Sequence, residues 1–204
     1  MNAGVTFERV YFALKDLLGS ARFAAGQHLE PAALSQDLNV SITPVRDALH
    51  RLAGEGLVDT SRGEGFRTPA VTEVGLRHLY RWNAALLDLA VRARGGQGAP
   101  ARVAEGDSET TPGPIETTER LFLAVAERTG SPEHLAAIAG LNDRLRRVRQ
   151  IELAVLVEPL AELEPIAAHL AEDAAPALRR SIAAYHRRRE RLVGEIVAAL
   201  TAPH

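Results

Sequence analysis

Ser41-Ile42-Thr43-Pro44-Val45-Arg46-Asp47-Ala48-Leu49 reads as the opening of a helix whose first turns are polar on one side. Ser41 suits the N-cap, where its hydroxyl accepts from a free backbone N–H, and Pro44 falls in the first turn, where a missing N–H costs nothing. Val45, Leu49, Leu52 and Ala53 then recur at helical spacing, which leaves Thr43, Arg46 and His50 on the opposite, outward face. Hydroxyl and guanidinium groups on an exposed first turn suit a DNA major groove: Arg binds guanine edges bidentately, and Ser or Thr binds phosphate or base.

The flanking sequence supports that reading. Upstream, Val5, Phe7, Val10, Tyr11, Leu14, Leu17 and Leu18 predict an amphipathic helix ended by Gly19. Residues 21–30 read as a compact connector, and Pro31 opens a second short helix that Asn39 closes after Leu38. Two helices joined by so short a turn are a helix-turn-helix. Downstream, the helix stops near Gly54 and Gly56, and residues 57–60 and 65–68 predict a β-hairpin. Gly63 and Gly65 permit positive φ there, while Arg62 and Arg67 supply cations for phosphates or a minor groove. A helix-turn-helix followed by a hairpin is a winged helix.

The linked series Leu34-Ser35-Gln36-Asp37-Leu38-Asn39-Val40-Ser41, Thr43 to Leu49, Arg51 to Val58 and Gly63-Glu64-Gly65-Phe66 resembles the DNA-binding domain of the GntR family of bacterial transcription regulators, over roughly residues 7–70. The resemblance implies DNA contacts from Ser41, Ile42, Thr43, Arg46, His50, Arg62, Gly63, Gly65 and Arg67. The family usually carries Arg directly after the Ser or Thr cap; here that position is Ile42, and position 32, basic in some members, is Ala32. Either Ile42 meets a thymine methyl in a different operator or binding is weaker.

The expected division is 1–70, the winged helix, and 71–204, a helical ligand-sensing and dimerisation domain, with a flexible loop at about 95–115. Pro69 to Glu73 reads as a linker in which Thr72 caps the next helix, Val74 to Val91. The Gly-, Pro- and Ser-rich stretch from Gly95 to Pro114 cannot bury much apolar area. Helices are predicted over 116–128 and 132–156, and the remainder falls in two helices split near Asp173 to Pro176, the last ending near Leu200. With Phe122, Ala126, Gly130-Ser131-Pro132, Leu145-Arg146-Arg147-Val148-Arg149 and Ile166, this pattern resembles the FCD domain of the FadR subfamily. The fold class is therefore mainly α.

That second resemblance implies a divalent metal held by an Asp-x-x-Phe-His motif and two later His residues. The matching segment here is Glu119-Arg120-Leu121-Phe122-Leu123, the third position falls at Leu163 or Glu164, and the fourth at Tyr185 or His186. Leu123 cannot ligate, so no family-type metal site and no cofactor are expected. Asn83 stands where many members hold a carboxylate with Arg. A small-molecule effector is accordingly expected to be apolar or neutral, near Asn83, Glu119, Tyr185 and His186; the alternative is a bundle that serves mainly for dimerisation. The Arg runs at 144–149, 179–180 and 187–191 are expected to be solvated helix faces paired with Glu152, Glu158, Glu162, Glu164 and Glu190, and Trp82 to be a core or interface anchor.

Composition narrows the function classes. Cysteine is absent, so disulfides, thiol catalysis and Cys-based zinc sites are excluded, and neither a phosphate-binding Gly loop nor a nucleophile elbow occurs. An enzyme is not expected. No stretch reads as a signal peptide or membrane span, so the expected location is cytoplasmic. The formal net charge of −2 means that any DNA affinity must come from a local face. The predicted function is a homodimeric, DNA-binding transcription regulator, a repressor that reads a palindromic operator in double-stranded DNA. The competing reading is a dimerisation scaffold with weak or no specific DNA binding.

Overall fold

A computed structural model describes residues 3–20, 22–61, 65–93 and 112–201. Its N-terminal part comprises α1 (Ala3–Gly19), β1 (His28–Leu29), α2 (Pro31–Asp37), α3 (Ile42–Gly54), β2 (Asp59–Ser61) and β3 (Gly65–Arg67). The rest is helical: α4 (Glu73–Arg92), α5 (Pro114–Glu127), α6 (Pro132–Val155), α7 (Glu164–Ala171), α8 (Ala175–Arg191) and α9 (Val193–Thr201). Most of the expected 95–115 loop lies outside the described residues, and its end is helical from Pro114.

The head is organised by how its helices stop. After α2, Asn39 takes φ 51°, and the N–H groups of Asn39 and Val40 donate to the carbonyls of Gln36 and Ser35. After α3, Gly56 takes φ 73°, and Gly56 and Leu57 donate to Ala53 and Leu52 in the same way. Both stops satisfy carbonyls that a helix end leaves orphaned, and both reverse the chain abruptly. The reversals bring Val45, Leu49 and Leu52 of α3 against Val10, Tyr11 and Leu14 of α1, with Leu34 and Phe66 closing the core. The predicted hairpin forms, with Thr60 opposite Phe66 and Ser61 opposite Gly65. The connector contributes a strand that the sequence did not reveal: β1 pairs with β3, His28 opposite Arg67, giving the sheet order β1-β3-β2.

Thr72 caps α4 as expected, its hydroxyl accepting from the Gly75 N–H. Leu86, Leu87 and Ala90 of α4, Leu121, Phe122 and Val125 of α5, Ile138 of α6, and Ile166, Leu178 and Ile182 of α7 and α8 form the main bundle core. A second cluster, Leu76, Tyr80, Leu145, Val148, Val193, Ile196 and Leu200, joins α4, α6 and α9.

The C-terminal third departs from the predicted pair of helices in two places. Residues 157–163 are turns rather than helix, because Glu158 sits at φ 50° and Pro159 has no N–H to donate. The last helix breaks at Leu192, which lets α9 turn back and bury Val193, Ile196 and Leu200 against α4 and α6.

Candidate DNA interface and bundle interior

The polar face predicted on α3 is exposed: Ser41, Ile42, Thr43, Arg46 and His50 all face outward, while Val45, Ala48, Leu49 and Leu52 are buried. Ser41 occupies the N-cap by backbone conformation, but its hydroxyl makes no capping bond, contrary to the expected role. Among the described residues Arg46 forms no ion pair, whereas Glu55, at the end of the same helix, accepts from Tyr11 and pairs with Arg51. Arg51 also lies over the Tyr11 ring at 4.1 Å, so its charge braces α1 to α3. His50 packs edge-on against Phe66, with ring centroids 4.9 Å apart, and thereby props the sheet against α3.

Arg62 and Gly63 lie outside the described residues. Gly65 has φ 77°, a conformation that strains any side chain, and an added Cβ would also push the His28 ring aside from 2.9 Å. Arg67 is exposed beside it on β3.

Of the four residues expected near an effector, Asn83, Tyr185 and His186 meet between α4 and α8, whereas Glu119 of α5 turns to Arg146 and Arg149 of α6. Asn83, Tyr185 and His186 are buried, and Glu119 is largely so. Phe122 stacks on His186 and meets Tyr185 edge-on, at centroid distances of 5.8 and 5.2 Å. His186 Nδ1 is 2.8 Å from the Ile182 carbonyl, and Nε2 is 2.8 Å from the Asn83 amide. Burial, helped by the nearby charges of Arg189 and Arg149 and opposed by the Ile182 carbonyl, pushes the His186 pKa down to about 3. The neutral ring has a single N–H, which the Ile182 carbonyl takes. Nε2 therefore accepts, and Asn83 must present its NH2 end to it. The other end of the Asn83 amide has no protein partner among the described residues.

An unfolded chain protonates His186 near pH 6.5 and the folded one only near 3, so this contribution to stability is complete above pH 6.5 and declines as pH falls toward 3. Urea denaturation between pH 7 and pH 4 is expected to lose stability through His186 with a slope of up to about 1.4 kcal/mol per pH unit, and that increment should disappear in His186→Gln. An unchanged slope in the variant would show that other groups carry it.

Comparison with known proteins agrees with this geometry. Residues 6–67 match the family described as bacterial regulatory proteins, gntR family. The Nta operon transcriptional regulator of Aminobacter aminovorans is 26% identical over 143 residues, 65% of this chain and 68% of that protein. A GntR transcriptional regulator from Rhodococcus sp. RHA1 superposes with a TM-score of 0.75 at 18% identity, covering 94% of this chain and 98% of its own. McbR/YncC of E. coli superposes at 0.64 with 20% identity, covering 93% and 97%. Residues 6–67 therefore carry a winged helix of GntR type, and the whole chain shares the fold of that Rhodococcus regulator.

Within the helical bundle the donor set for a divalent metal does not fit. Glu119 is held by Arg146, and Arg149 lies 3.6 Å from its other oxygen, so two cations stand where a third would have to enter. Burial raises the Glu119 pKa, while Arg146 and Arg149 act to lower it. At the third position the buried residue is Leu163, and Glu164 is exposed. Among the described residues no group of three or more His, Asp or Glu is arranged to hold a metal.

Two arginines expected on solvated faces are buried instead. Arg189 donates to Glu152 at 2.8 Å and to Glu162 at 2.6 Å, and its guanidinium covers the Tyr185 ring at 3.3 Å. Tyr80 donates to the same Glu152 at 2.5 Å. Burial would lower the Arg189 pKa, but Tyr185, Glu152 and Glu162 more than offset it and raise it. Arg149, also buried, donates to Asn142 at 3.1 Å. The signal for both was spacing: Arg189 continues the stripe Leu178, Ile182, Tyr185, and Arg149 continues Ile138, Asn142, Leu145. Trp82, by contrast, is 53% exposed and belongs to no core of this subunit.

Proposed function

We propose that this chain is a homodimeric repressor of GntR type, in the FadR subfamily with an FCD-like sensor, whose two heads read a palindromic operator and whose bundle binds a small-molecule effector. Residues 1–70 form the reading head, and residues 71–204 form the sensor and dimer domain. The observation that carries the reading is the exposed start of α3: Arg46 has no intramolecular ion pair among the described residues, and Ser41 and Thr43 stand beside it with free access to solvent. A guanidinium held in that state is available for a guanine edge or a phosphate. Ile42, 38% exposed in the same turn, supplies an apolar contact for a thymine methyl. Arg67, with Arg62 and Gly63 in the wing segment, adds backbone contacts.

Dimerisation is supported by α4. Val74, Trp82, Ala85 and Leu89 share one exposed helix face, and Val74, Trp82 and Leu89 are each more than half exposed. An apolar stripe of that size with Trp at its centre is the kind of surface that a symmetric partner covers. The effector would enter near Asn83, Glu119, Tyr185 and His186, where the unpartnered end of the Asn83 amide offers one hydrogen bond to a neutral molecule. Control then follows from a difference in effector affinity between the two head arrangements.

Fluorescence anisotropy with the gene's own upstream DNA tests the reading. Arg46→Ala is expected to weaken binding by about 1–3 kcal/mol if the contact is to a base, or to lower the salt slope by about one if it is to phosphate. The absence of any shift at low salt would favour the scaffold.

A further inference from the structure

Where the head meets the bundle lies a cavity of ≈ 180 Å3, whose lining includes neither the exposed start of α3 nor Asn83 and His186. Its walls come from three parts of the chain: Leu57 follows α3, Val71 lies in the linker, and Leu76, Leu79 and Val148 belong to α4 and α6. Gly56 and Gly75 also line it, so that backbone rather than side chain borders the space on two sides.

The charged residues at this cavity are not balanced. Asp143 is bound to Lys15 of α1 at 2.6 Å. Arg144 is exposed at the rim. Arg147 is half-buried, makes no ion pair among the described residues, and its Nε is sealed from solvent without a hydrogen-bond partner. Burial alone lowers its pKa; no carboxylate opposes the effect. A guanidinium that is partly desolvated and left without a counter-charge is costly, and an anion arriving beside it recovers much of that cost. The size is informative as well: an apolar cavity of about 150 Å3 accepts benzene, so this one holds a six-membered ring with one small substituent.

We propose that this junction cavity binds a small apolar monocarboxylate, with Arg147 holding the carboxylate and the hydrocarbon lying among Leu57, Val71, Leu76 and Leu79. The terminal nitrogens of the Arg147 guanidinium are the donors left for a carboxylate, since its Nε is sealed by protein, and Leu57, Val71, Leu76 and Leu79 accept a hydrocarbon ring. Because head, linker and bundle each contribute a wall, the bound acid favours one seating of the head on the bundle over others. Only this last consequence rests on the DNA-binding reading; the site does not.

Isothermal titration of the full chain with benzoate and cyclohexanecarboxylate, against benzyl alcohol and inorganic sulfate, tests the proposal. Both carboxylates should bind saturably, one per chain, with the alcohol and sulfate at least about tenfold weaker. Arg147→Met should weaken the carboxylates at least about tenfold, and Val71→Phe, which fills the cavity, should abolish them. A ligand-free measurement guards against misfolding: Arg147→Met replaces an uncompensated cation by an apolar chain of similar length, so its thermal midpoint should be no lower than the wild type's. No binding to the wild type, equal affinity for alcohol and acid, undiminished binding by Arg147→Met, or a lowered midpoint in that variant would each overturn the proposal. Operator binding is measured separately by anisotropy, so failure here leaves the head's function standing, and the reverse holds.

Discussion

Arg189→Ala is expected to lower the unfolding free energy by about 3–5 kcal/mol, the range for removing one partner of a buried ion pair. The size follows from what would remain. Glu152 and Arg189 are each 3% exposed in their side chains, and without the guanidinium the Glu152 carboxylate would keep only the Tyr80 hydroxyl. Glu162 would lose its 2.6 Å partner at the same time, and Tyr185 the cation over its ring. The adjacent Arg188 is the control. It reaches the same Glu162 at 3.4 Å but is a third exposed, so Arg188→Ala should cost less than about 1 kcal/mol. Urea denaturation of the two variants reads the contrast; similar losses for both would mean that the pair contributes no more than a surface bridge.

For the proposed homodimer, Trp82→Arg combined with Leu89→Arg is expected to give a monomer and to weaken binding to the proposed operator about 10²–10⁴-fold. Dimerisation makes the second half-site contact intramolecular, and that advantage is lost when the two heads are no longer joined. Both residues are more than half exposed on α4, at 53% and 56%, so charging them should leave the subunit's own core intact. Sedimentation velocity and anisotropy on the same preparation separate the outcomes. A variant that remains dimeric would place the interface elsewhere, whereas a monomer with undiminished operator affinity would mean that one head suffices.

The head was legible residue by residue because its determinants are local. Pro31, Asn39, Pro44 and Gly56 specify where helices start and stop through their own backbone preferences, and the alternating apolar positions of α1 and α3 need only face each other to form the core. Thr72 was readable for the same reason. The strand β1 was not, because two residues carry no periodicity, and their pairing with β3 depends on a partner almost forty residues away in the chain. The Ser41 hydroxyl shows the limit in another form: the residue type selects the cap position, while the bond that usually accompanies it is absent.

In the bundle the readable part was the stripe, and the unreadable part was which polar residues on a stripe are inside. Arg149, Glu152 and Arg189 look like members of charged surface runs when counted along the chain. Glu152 and Arg189 are interior because α6 and α8 bring them together, and Arg149 because α5 sets Glu119 3.6 Å from it; each alone would be too costly to bury. The same holds for Leu192, where the chain breaks a continuous helical pattern so that α9 can cover Leu76 and Tyr80.

The amino-acid sequence by itself determined the winged helix, the polar start of α3 with Ile42 in its first turn, the cap at Thr72 and the helical character of the remainder, since each depends on backbone preference and spacing over a few residues. Only the tertiary structure decided that, among the described residues, Arg46 is left unpaired while Arg51 is not, that Glu119 faces two arginines, and that Arg147 borders a cavity without an ion-pair partner. Charge pairing between helices depends on distances across the fold, and a desolvation cost exists only once neighbouring elements have excluded water.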